Sequence, residues 1–443
     1  MAEKINIVSL GCARNLVDSE VMTGVLRRAD YEVVGEPDKA DIVLVNTCSF
    51  IDAAKEESVD TILALARLKE EGSLKTLVVA GCLPQRYAGE LARELPEVDL
   101  FIGTGEVPRI ADILKERRTR RVYVGIPSYL YDHETPRVRS TGSHTAFVKV
   151  SEGCDHKCAF CIIPELRGPH RSRPTASVVA EAAALGREGV KEINLIAQDL
   201  TAYGRERCDG TTLYGLLRGL DAVEGIEWIR LLYAYPNFLD DALLDFIRES
   251  PKICKYIDIP FQHASRRMLM RMRRGKSGSA VREAIAKLRR AIPGLTLRTS
   301  LIVGFPGETD DDFRELLDFV EESEFDRLGV FKYSVEDGTQ AAGMDRQVGE
   351  EIKEARWQEV MDLQAEISRK KNQALIGMIE RVMIDGLDFE HGMTHGRTQG
   401  HAPEVDGAIY IAHAEPGLRP GDFVNVKITE ASEYDLTGEI TNA

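Results

Sequence analysis

Three closely spaced cysteines are the residues of this sequence best suited to chemistry. Cys154, Cys158 and Cys161 follow one another as Cys-x3-Cys-x2-Cys. Three thiolates at this spacing can supply three of the four iron ligands of a [4Fe–4S] cluster. The alternative is a structural zinc site, which closes four ligands and would use His156 as the fourth. The aromatic Phe160 before the last cysteine, and the candidate strand before the loop, favour the iron–sulfur cluster.

The missing fourth ligand indicates what such a cluster does. An iron atom without a protein ligand can chelate the amino and carboxylate groups of S-adenosylmethionine. An electron passed into the sulfonium then breaks a C–S bond and releases a 5′-deoxyadenosyl radical, which is chemistry that the cofactor carries. We therefore predict that this loop binds a [4Fe–4S] cluster and S-adenosylmethionine.

A second set of cysteines is spread along the first hundred residues. Cys12, Cys48 and Cys82 each come directly after a candidate strand, in the segments VSLGC, LVNTC and VVAGC. The carboxyl ends of parallel strands share one edge of a sheet, so the three thiols are expected to converge there. We predict a second three-ligand cluster, and the alternative is three unrelated half-buried thiols. Cys208 and Cys254 have no partner at a motif spacing and are predicted to be ordinary thiols.

The segments around these cysteines alternate between strand and helix patterns, which indicates parallel sheets with helices on their faces. For residues 1–125 we predict an α/β sheet domain, with strands at Lys4–Leu10, Ile42–Asn46, Leu77–Ala80 and Leu100–Ile102. Residues 126–142 are predicted to form a linker that is rich in Arg, Pro and turn formers. A short strand at Arg121–Gly125 also fits the pattern.

The alternation restarts in residues 143–373, where six strand–helix units predict a partial (β/α)6 barrel with its chemistry at the carboxyl ends of the strands. The strands are predicted at Ala146–Val150, Ile193–Ala197, Trp228–Leu232, Tyr256–Ile259, Leu297–Val303 and Arg327–Lys332. A charged helix over Gly349–Lys371 would close this region. In residues 374–443, short β-branched runs separated by Gly, Pro and Asp predict a small antiparallel barrel of about five strands.

Composition narrows the class of protein. The 443 residues carry a net charge of −15, with 43 % hydrophobic and 29 % charged residues, which is typical of a globular protein and argues against bulk binding of nucleic acid. We find no secretory signal and no apolar run long enough to span a membrane, so a cytoplasmic protein is expected.

Together these features resemble the methylthiotransferase family of radical S-adenosylmethionine enzymes, over essentially the whole chain. The family combines a three-cysteine N-terminal domain, a radical barrel and a small C-terminal barrel called TRAM. The resemblance implies two [4Fe–4S] clusters, S-adenosylmethionine as methyl donor and radical source, an electron donor and a sulfur source. The segments from Ser9 to Glu20 and from Cys161 to Arg173 resemble the branch that modifies the β-carbon of an aspartate in ribosomal protein uS12.

The sister branch of the family acts on an adenosine of tRNA and is the main alternative; a non-catalytic electron carrier is a second. Charge favours the protein substrate, because residues 375–443 hold four basic against twelve acidic residues. A barrel that binds tRNA should be basic, whereas an acidic one suits a basic ribosomal protein, so we expect no stable tRNA binding. A merely solubilising surface would also explain the charge. The histidines of this barrel are irregularly spaced, which favours exposed loops over a metal site: His391, His395, His401 and His413.

Several further residues are candidates for the site. We predict cofactor contacts for Phe160, beside the third cysteine, and for Gln198, which ends the second barrel strand together with Asp199. The resemblance implies that the segment containing Gly304 and Glu308 helps to hold the nucleoside, although a plain strand-to-helix turn explains it as well. Other strand-end or loop candidates, for substrate or for the carboxylate of S-adenosylmethionine, are Gln262, His263, Arg167, Arg171 and Arg173.

Overall fold

A computed structural model of the chain describes residues 2–117, 119–275, 278–388, 393–412 and 417–441. Within those ranges no helix is both long enough and apolar enough to cross a membrane.

The first sheet contains, among the described residues, six parallel strands in the order β2-β1-β3-β4-β5-β6. The two central strands are buried along their whole length, as expected for a parallel sheet covered on both faces. The predicted strands are confirmed, as is the short strand near Arg121, and the two-residue β2 is an addition. The elements are β1 (Lys4–Ser9), α1 (Ala13–Arg28), β2 (Glu32–Val33), β3 (Ile42–Thr47), α2 (Asp52–Glu70), β4 (Thr76–Gly81), α3 (Cys82–Glu94), β5 (Leu100–Ile102), α4 (Ile110–Lys115) and β6 (Val122–Tyr123).

The second sheet, also of six parallel strands over the described ranges, runs β14-β13-β12-β11-β10-β7 and remains open at both ends. This order confirms the partial (β/α)6 barrel, since the strands follow one another in sequence. A small antiparallel pair, β8 with β9, flanks the segment that carries Cys154, Cys158 and Cys161, called the cysteine loop below. The elements are β7 (Thr145–Lys149), β8 (Ser151–Glu152), α5 (Ile163–Arg167), β9 (Arg171–Ser172), α6 (Thr175–Arg187), β10 (Glu192–Ile196), α7 (Leu213–Asp221), β11 (Trp228–Leu231), α8 (Asp241–Glu249), β12 (Ile253–Asp258), α9 (Arg266–Arg271), α10 (Gly278–Ala291), β13 (Thr296–Val303), α11 (Asp310–Ser323), β14 (Arg327–Lys332) and α12 (Glu350–Gln373).

The C-terminal strands close into a barrel in the order β15-β16-β17-β19-β18. The predicted five-stranded barrel is confirmed, but it is not wholly antiparallel, because β17 and β19 pair in parallel. An odd number of strands cannot alternate in direction all the way round a closed barrel, so one parallel pair is required. The strands are β15 (Ile379–Asp388), β16 (Met393–Arg397), β17 (Ile409–Ile411), β18 (Phe423–Ala431) and β19 (Leu436–Ile440).

The segment 126–142 packs against both parallel-sheet units. Its Tyr131 is only 2 % exposed, and Arg137 forms ion pairs with Glu20 of α1 at 2.6 Å and with Glu181 of α6 at 2.7 Å. Buried, fully paired charges of this kind tolerate little rearrangement, because removing one partner leaves a charge without compensation. The first sheet and the partial barrel formed around the second sheet, called the half-barrel below, are therefore held together by the chain that connects them.

The C-terminal barrel packs where the strands of the half-barrel begin. Arg397 of β16 pairs with Glu192, the first residue of β10, at 2.9 Å, and Asp406 accepts from the Tyr256 hydroxyl of β12 at 2.7 Å. The cysteine loop lies at the opposite, carboxyl end of the strands. The C-terminal barrel thus covers the end of the half-barrel that is remote from the predicted chemistry.

One expectation for this barrel was wrong. His401 is 2 % exposed rather than on an exposed loop: its Nε2 accepts from Arg327 at 2.7 Å, and its Nδ1 lies 2.8 Å from the Thr398 hydroxyl. His395 is half-buried on β16. His391 and His413 lie outside the described residues.

Candidate active site

The Cys-x3-Cys-x2-Cys loop leaves the half-barrel after β7 and β8 and is fixed by backbone contacts. Cys154 N donates to Gly168 O at 3.1 Å, and Ala159 N donates to Met272 O at 3.0 Å. Gly153 has φ +80°, and a Cβ there would lie 2.0 Å from Pro169 O. Only glycine fits this turn, so the backbone dictates how the loop begins.

The three loop cysteines are partly buried thiols. Burial raises the pKa of Cys154 to about 11 and that of Cys161 to about 12, with neighbouring thiols of the loop adding to the effect. His156 is turned toward the sheet, with Nε2 2.6 Å from Asp199 Oδ2 and its ring stacked on Tyr235 at 4.2 Å. Loop thiols without His156 are a donor set suited to three irons of a cubane.

The zinc alternative is not favoured by this geometry. No three His, Cys, Asp or Glu side chains of the described residues are placed to bind one metal ion. Ligands of a cubane attach to different iron atoms, so they do not need to meet at a single point.

The N-terminal cysteines lie together at the carboxyl edge of the first sheet, as their positions predicted. Cys12 precedes α1, Cys48 follows β3 and Cys82 opens α3, and β1, β3 and β4 are adjacent strands. A Cβ on Gly11 would lie 2.7 Å from Cys48 Cβ, so Cys48 packs directly on the residue before Cys12. Burial raises the pKa of Cys48 to about 11, and the charges of Cys82 and Cys12 add to this.

Two arginines reach this group of thiols. Burial alone would raise the pKa of Cys12, but the charges of Arg14 and Arg167 together with backbone hydrogen bonds from Asn15 and Arg14 outweigh burial and lower the pKa. Arg167 Nη2 donates to Cys82 Sγ at 3.4 Å. At Cys82 burial still outweighs this contact and raises the pKa. At Cys12 the adjacent guanidinium groups favour the thiolate, which is the form that binds a metal.

Arg167 and Arg173 are engaged differently from what the sequence suggested. Arg167 pairs with Asp18 of α1 at 2.5 Å, and Arg173 pairs with Glu181 at 2.5 Å. Both guanidinium groups are buried among protein carboxylates, and Arg171 donates to backbone carbonyls of its own loop. These arginines brace the cysteine loop rather than reach a ligand.

A cavity of about 380 Å³ between the first sheet and the half-barrel is lined by Cys12 of the N-terminal set and by all three loop cysteines, Cys154, Cys158 and Cys161. A pocket of this size lies within the range of small-molecule sites. One bound substrate can therefore contact Cys12 and the loop cysteines together.

Several predicted residues line this cavity. They are Phe160, Gln198, Asp199 and Gln262. Gln198 Nε2 donates to Glu152 at 2.5 Å, while its buried Oε1 has no hydrogen-bond partner among the described residues. A buried polar atom without a partner is costly, so Gln198 fits a site where a ligand donates to it.

Gly304, Glu308 and His263 do not line the cavity. Gly304 has φ +71°, and a Cβ there would lie 2.3 Å from Lys353 Cγ of α12. Glu308 is buried and accepts from Phe305 N at 3.1 Å, and His263 Nδ1 accepts from Ala264 N at 3.0 Å. All three shape turns at the ends of β12 and β13, and the cofactor contact of Gly304 and Glu308 remains a prediction.

Other strands contribute residues to the cavity that the sequence patterns did not predict. Strand-end position was the pattern that could have found most of them, since polar groups there share one edge of the sheet. Arg14 could have been found by a different pattern, because it is a cation two residues after Cys12, a predicted cluster ligand. The cavity residues added by the structure include Arg14, Tyr233, Tyr235, Asp258, Arg274, Arg298 and Tyr333.

Comparison with known families places these units. Residues 148–320 match the Radical SAM superfamily, residues 376–441 match the TRAM domain, and residues 4–103 match the uncharacterized protein family UPF0004. An open parallel half-barrel with three cysteines after its first strand defines the class: this is a radical S-adenosylmethionine protein. Membership of that superfamily implies S-adenosylmethionine and a [4Fe–4S] cluster, which the donor set of the loop fits.

The particular family follows from full-length relatives. The chain is 53 % identical over 442 residues to the ribosomal protein uS12 methylthiotransferase RimO of Pelobacter propionicus, covering 99 % of this chain and 98 % of that protein. It is 51 % identical, with the same coverage, to the protein of that name from Geotalea uraniireducens. The chain belongs to the RimO family of radical SAM methylthiotransferases.

Solved structures support the fold. The radical S-adenosylmethionine methyltransferase TsrM from Kitasatospora setae, with cobalamin and a [4Fe–4S] cluster bound, aligns with a TM-score of 0.55 at 15 % identity. The alignment covers 75 % of this chain and 72 % of that one. At this identity the likeness concerns the fold alone.

Proposed function

We propose that this protein adds a methylthio group to the β-carbon of an aspartate in ribosomal protein uS12. The observation that carries the proposal is the single cavity lined by Cys12 and by Cys154, Cys158 and Cys161. A generic radical initiator needs the loop cysteines alone, whereas insertion of sulfur needs a second site beside the first. The names of relatives about 50 % identical over the full length support the same activity.

The proposal includes two [4Fe–4S] clusters, one held by Cys154, Cys158 and Cys161 and one by Cys12, Cys48 and Cys82. When bound, the clusters and S-adenosylmethionine supply the radical and the methylthio group. Phe160 and Gln198 are proposed to contact S-adenosylmethionine, because both line the cavity beside the loop. The ion pairs around Arg167 hold the two sets of ligands in a fixed relationship.

Charge supports a protein substrate over tRNA. The C-terminal barrel has few basic residues, and one of them, Arg397, is buried between Glu192 and Asp385. Because its partner Asp385 belongs to the same barrel, this buried pair leaves the acidic balance of the barrel unchanged. Such an acidic surface attracts a basic ribosomal protein and repels phosphate.

Further parts of the proposal concern context. We propose that the protein acts in the cytoplasm, where an electron donor and a sulfur source serve it. We also propose that the functional units are residues 1–125, 143–373 and 374–443, joined by 126–142. Limited proteolysis that cuts first near these boundaries supports the division, and cuts within the units contradict it.

The test is mass spectrometry of uS12 from a strain that lacks this protein. The methylthio mass should disappear from uS12, should return with the intact gene, and should stay absent with either Cys154→Ala or Cys12→Ala. If uS12 is unchanged and a methylthio nucleoside disappears from tRNA, the sister activity is correct instead. Anaerobic reduction with S-adenosylmethionine excludes an electron carrier if 5′-deoxyadenosine forms.

A further inference from the structure

Four basic side chains line the cavity: Arg14, Arg274, Arg298 and Lys332. Arg298 is neutralised by Asp258, with Nη1 3.0 Å from Oδ1, and Lys332 pairs with Glu354 at 2.7 Å. A cation that is already paired with a protein carboxylate attracts a second carboxylate only weakly, because its charge is largely neutralised. Two of the four are therefore committed within the protein.

Arg274 follows α9 and contacts the cysteine loop. Its Nη1 lies 3.6 Å from Cys158 Sγ, its Nη2 donates to Pro260 O, and the guanidinium stacks on Tyr235 at 4.4 Å. These contacts hold it at the end of the cavity where the loop predicts S-adenosylmethionine. Any role of Arg274 toward a ligand lies at that end.

Arg14 lies two residues after Cys12, in the first turn of α1. Its Nη1 donates to Ala197 O at 2.8 Å, and its guanidinium lies over the Tyr233 ring at 4.7 Å. The carbonyl and the ring fix its orientation but carry no formal negative charge. Over the described ranges of the chain, no carboxylate is within ion-pair distance of Arg14. It is thus an oriented cation beside the Cys12 thiol that has no carboxylate partner within the described residues.

The chemistry of the proposed substrate supplies such a partner. In aspartate the β-carbon is bonded directly to the carboxylate carbon, so a β-carbon presented to the Cys12 site brings its carboxylate with it. Enclosing a carboxylate in a cavity is costly unless a cation pairs with it, and a guanidinium can do so through two parallel hydrogen bonds. A binding group for that carboxylate must consequently lie close to Cys12.

We propose that Arg14 binds the carboxylate of the target aspartate and thereby makes the site selective for aspartate over uncharged side chains. This inference rests on the proposed function and adds the recognition of the substrate to it. Tyr233 and the Ala197 carbonyl act as positioning groups, because they fix the guanidinium before substrate arrives.

The experiment compares wild type, Arg14→Met and Arg14→Lys, with Arg27→Met as a matched control on an exposed part of the same helix. KM and kcat are measured with uS12 and with uS12 whose target aspartate is replaced by asparagine. Wild type should prefer aspartate, and Arg14→Met should raise KM for uS12 about tenfold or more and lose that preference. Arg14→Lys should recover part of it, and Arg27→Met should behave as wild type.

If Arg14→Met binds iron poorly, its loss of activity would not by itself test substrate recognition. A second variant and a binding measurement then test the inference. Tyr233→Leu retains Arg14 but removes its ring, and it should weaken the preference for aspartate without abolishing it. An unchanged preference in both variants contradicts the inference. So does weakened binding of S-adenosylmethionine in Arg14→Met without uS12, because Arg14 would then serve the cofactor. If wild type does not modify uS12 at all, the proposed function itself has failed.

Discussion

Arg167 of the half-barrel donates a hydrogen bond to the Sγ of Cys82, which belongs to the first sheet, at 3.4 Å. The same guanidinium donates to Asn15 at 2.8 Å and pairs with Asp18 at 2.5 Å, both on α1. One side chain therefore joins the helix α5, which follows the cysteine loop, to the second set of cysteines. The relative position of the two sets depends on a few buried charges.

We predict that Arg167→Met lowers the free energy of unfolding by about 3–5 kcal/mol, the usual cost of breaking a buried ion pair from one side. Asp18 would keep Lys149, at 2.5 Å, as its remaining partner. Urea denaturation of the apoprotein measures the change. Arg171→Met is the control, since Arg171 donates to backbone carbonyls and pairs with no carboxylate in the described part of the chain. Equal stability of the two variants would contradict the prediction.

Gly11 offers a way to disturb the N-terminal cysteines alone. Its φ is +88°, and an added Cβ would lie 2.7 Å from Cys48 Cβ, whereas Gly72, at φ +81°, has open space around it. Both alanine substitutions incur about 1–2 kcal/mol of backbone strain, but only Gly11→Ala displaces Cys48. We expect Gly11→Ala to lose iron on reconstitution and Gly72→Ala to retain it. Iron analysis checks this, and equal iron in both proteins refutes it.

His401 predicts a pH dependence of stability. Burial, followed by the charges of Arg327, Arg230 and Arg397, lowers its pKa well below the ordinary 6.5. In the unfolded chain the histidine binds a proton below pH 6.5, while in the folded protein it does not. The contribution of His401 to the free energy of unfolding should thus be fully present above pH 6.5. As the pH decreases below 6.5, the free energy of unfolding should fall by about 1.4 kcal/mol per pH unit.

The measurement is urea denaturation across pH 5–7.5 for wild type and His401→Gln. The variant should be less stable at neutral pH, because a flexible amide side chain replaces a closely packed ring, but it should lack this component of the slope. The same slope in both proteins would show that His401 does not cause it.

Arg86 and Glu336 join α3 to the segment after β14, with Nη1 2.6 Å from Oε2. We predict a coupling energy of about 0.5–3 kcal/mol from a double-mutant cycle with Arg86→Met and Glu336→Gln. Lys55, 2.9 Å from the same carboxylate, would limit the loss. The exposed pair Arg314–Asp311 serves as reference and should give about 0–1 kcal/mol. A smaller coupling for the buried pair would mean that this contact does not hold the first sheet in place.

Much of the fold follows from local pattern. The strands β3 and β4 each contain an uninterrupted apolar run, Ile42–Val45 and Leu77–Ala80, and such runs between helical patterns leave few alternatives to a parallel sheet. The short strands β2, β8 and β9, of two residues each, carry no periodicity to detect. The parallel pair β17–β19 follows from closing the barrel, which no single segment encodes.

The candidate site also contains features that the sequence predicts and features that only the structure reveals. The convergence of Cys12, Cys48 and Cys82 was predictable, because strand ends share an edge. The burial of Asp18 and Glu20 was not, because charged residues on a helix ordinarily indicate its solvent face. The orientation of Arg14 was likewise not predictable, because it depends on contacts with Tyr233 and Ala197, which lie far away in sequence. Contacts between units therefore account for most of what the sequence could not provide.

The central claim is that the chain holds two separate three-cysteine cluster sites, and counting iron and sulfide tests it most directly. Anaerobically reconstituted wild type should be compared with a variant combining Cys12→Ala, Cys48→Ala and Cys82→Ala, and with Cys208→Ala as control. We predict that the triple variant loses about half of its iron and sulfide yet still forms 5′-deoxyadenosine, while the control loses neither. Full iron in the triple variant would contradict the claim.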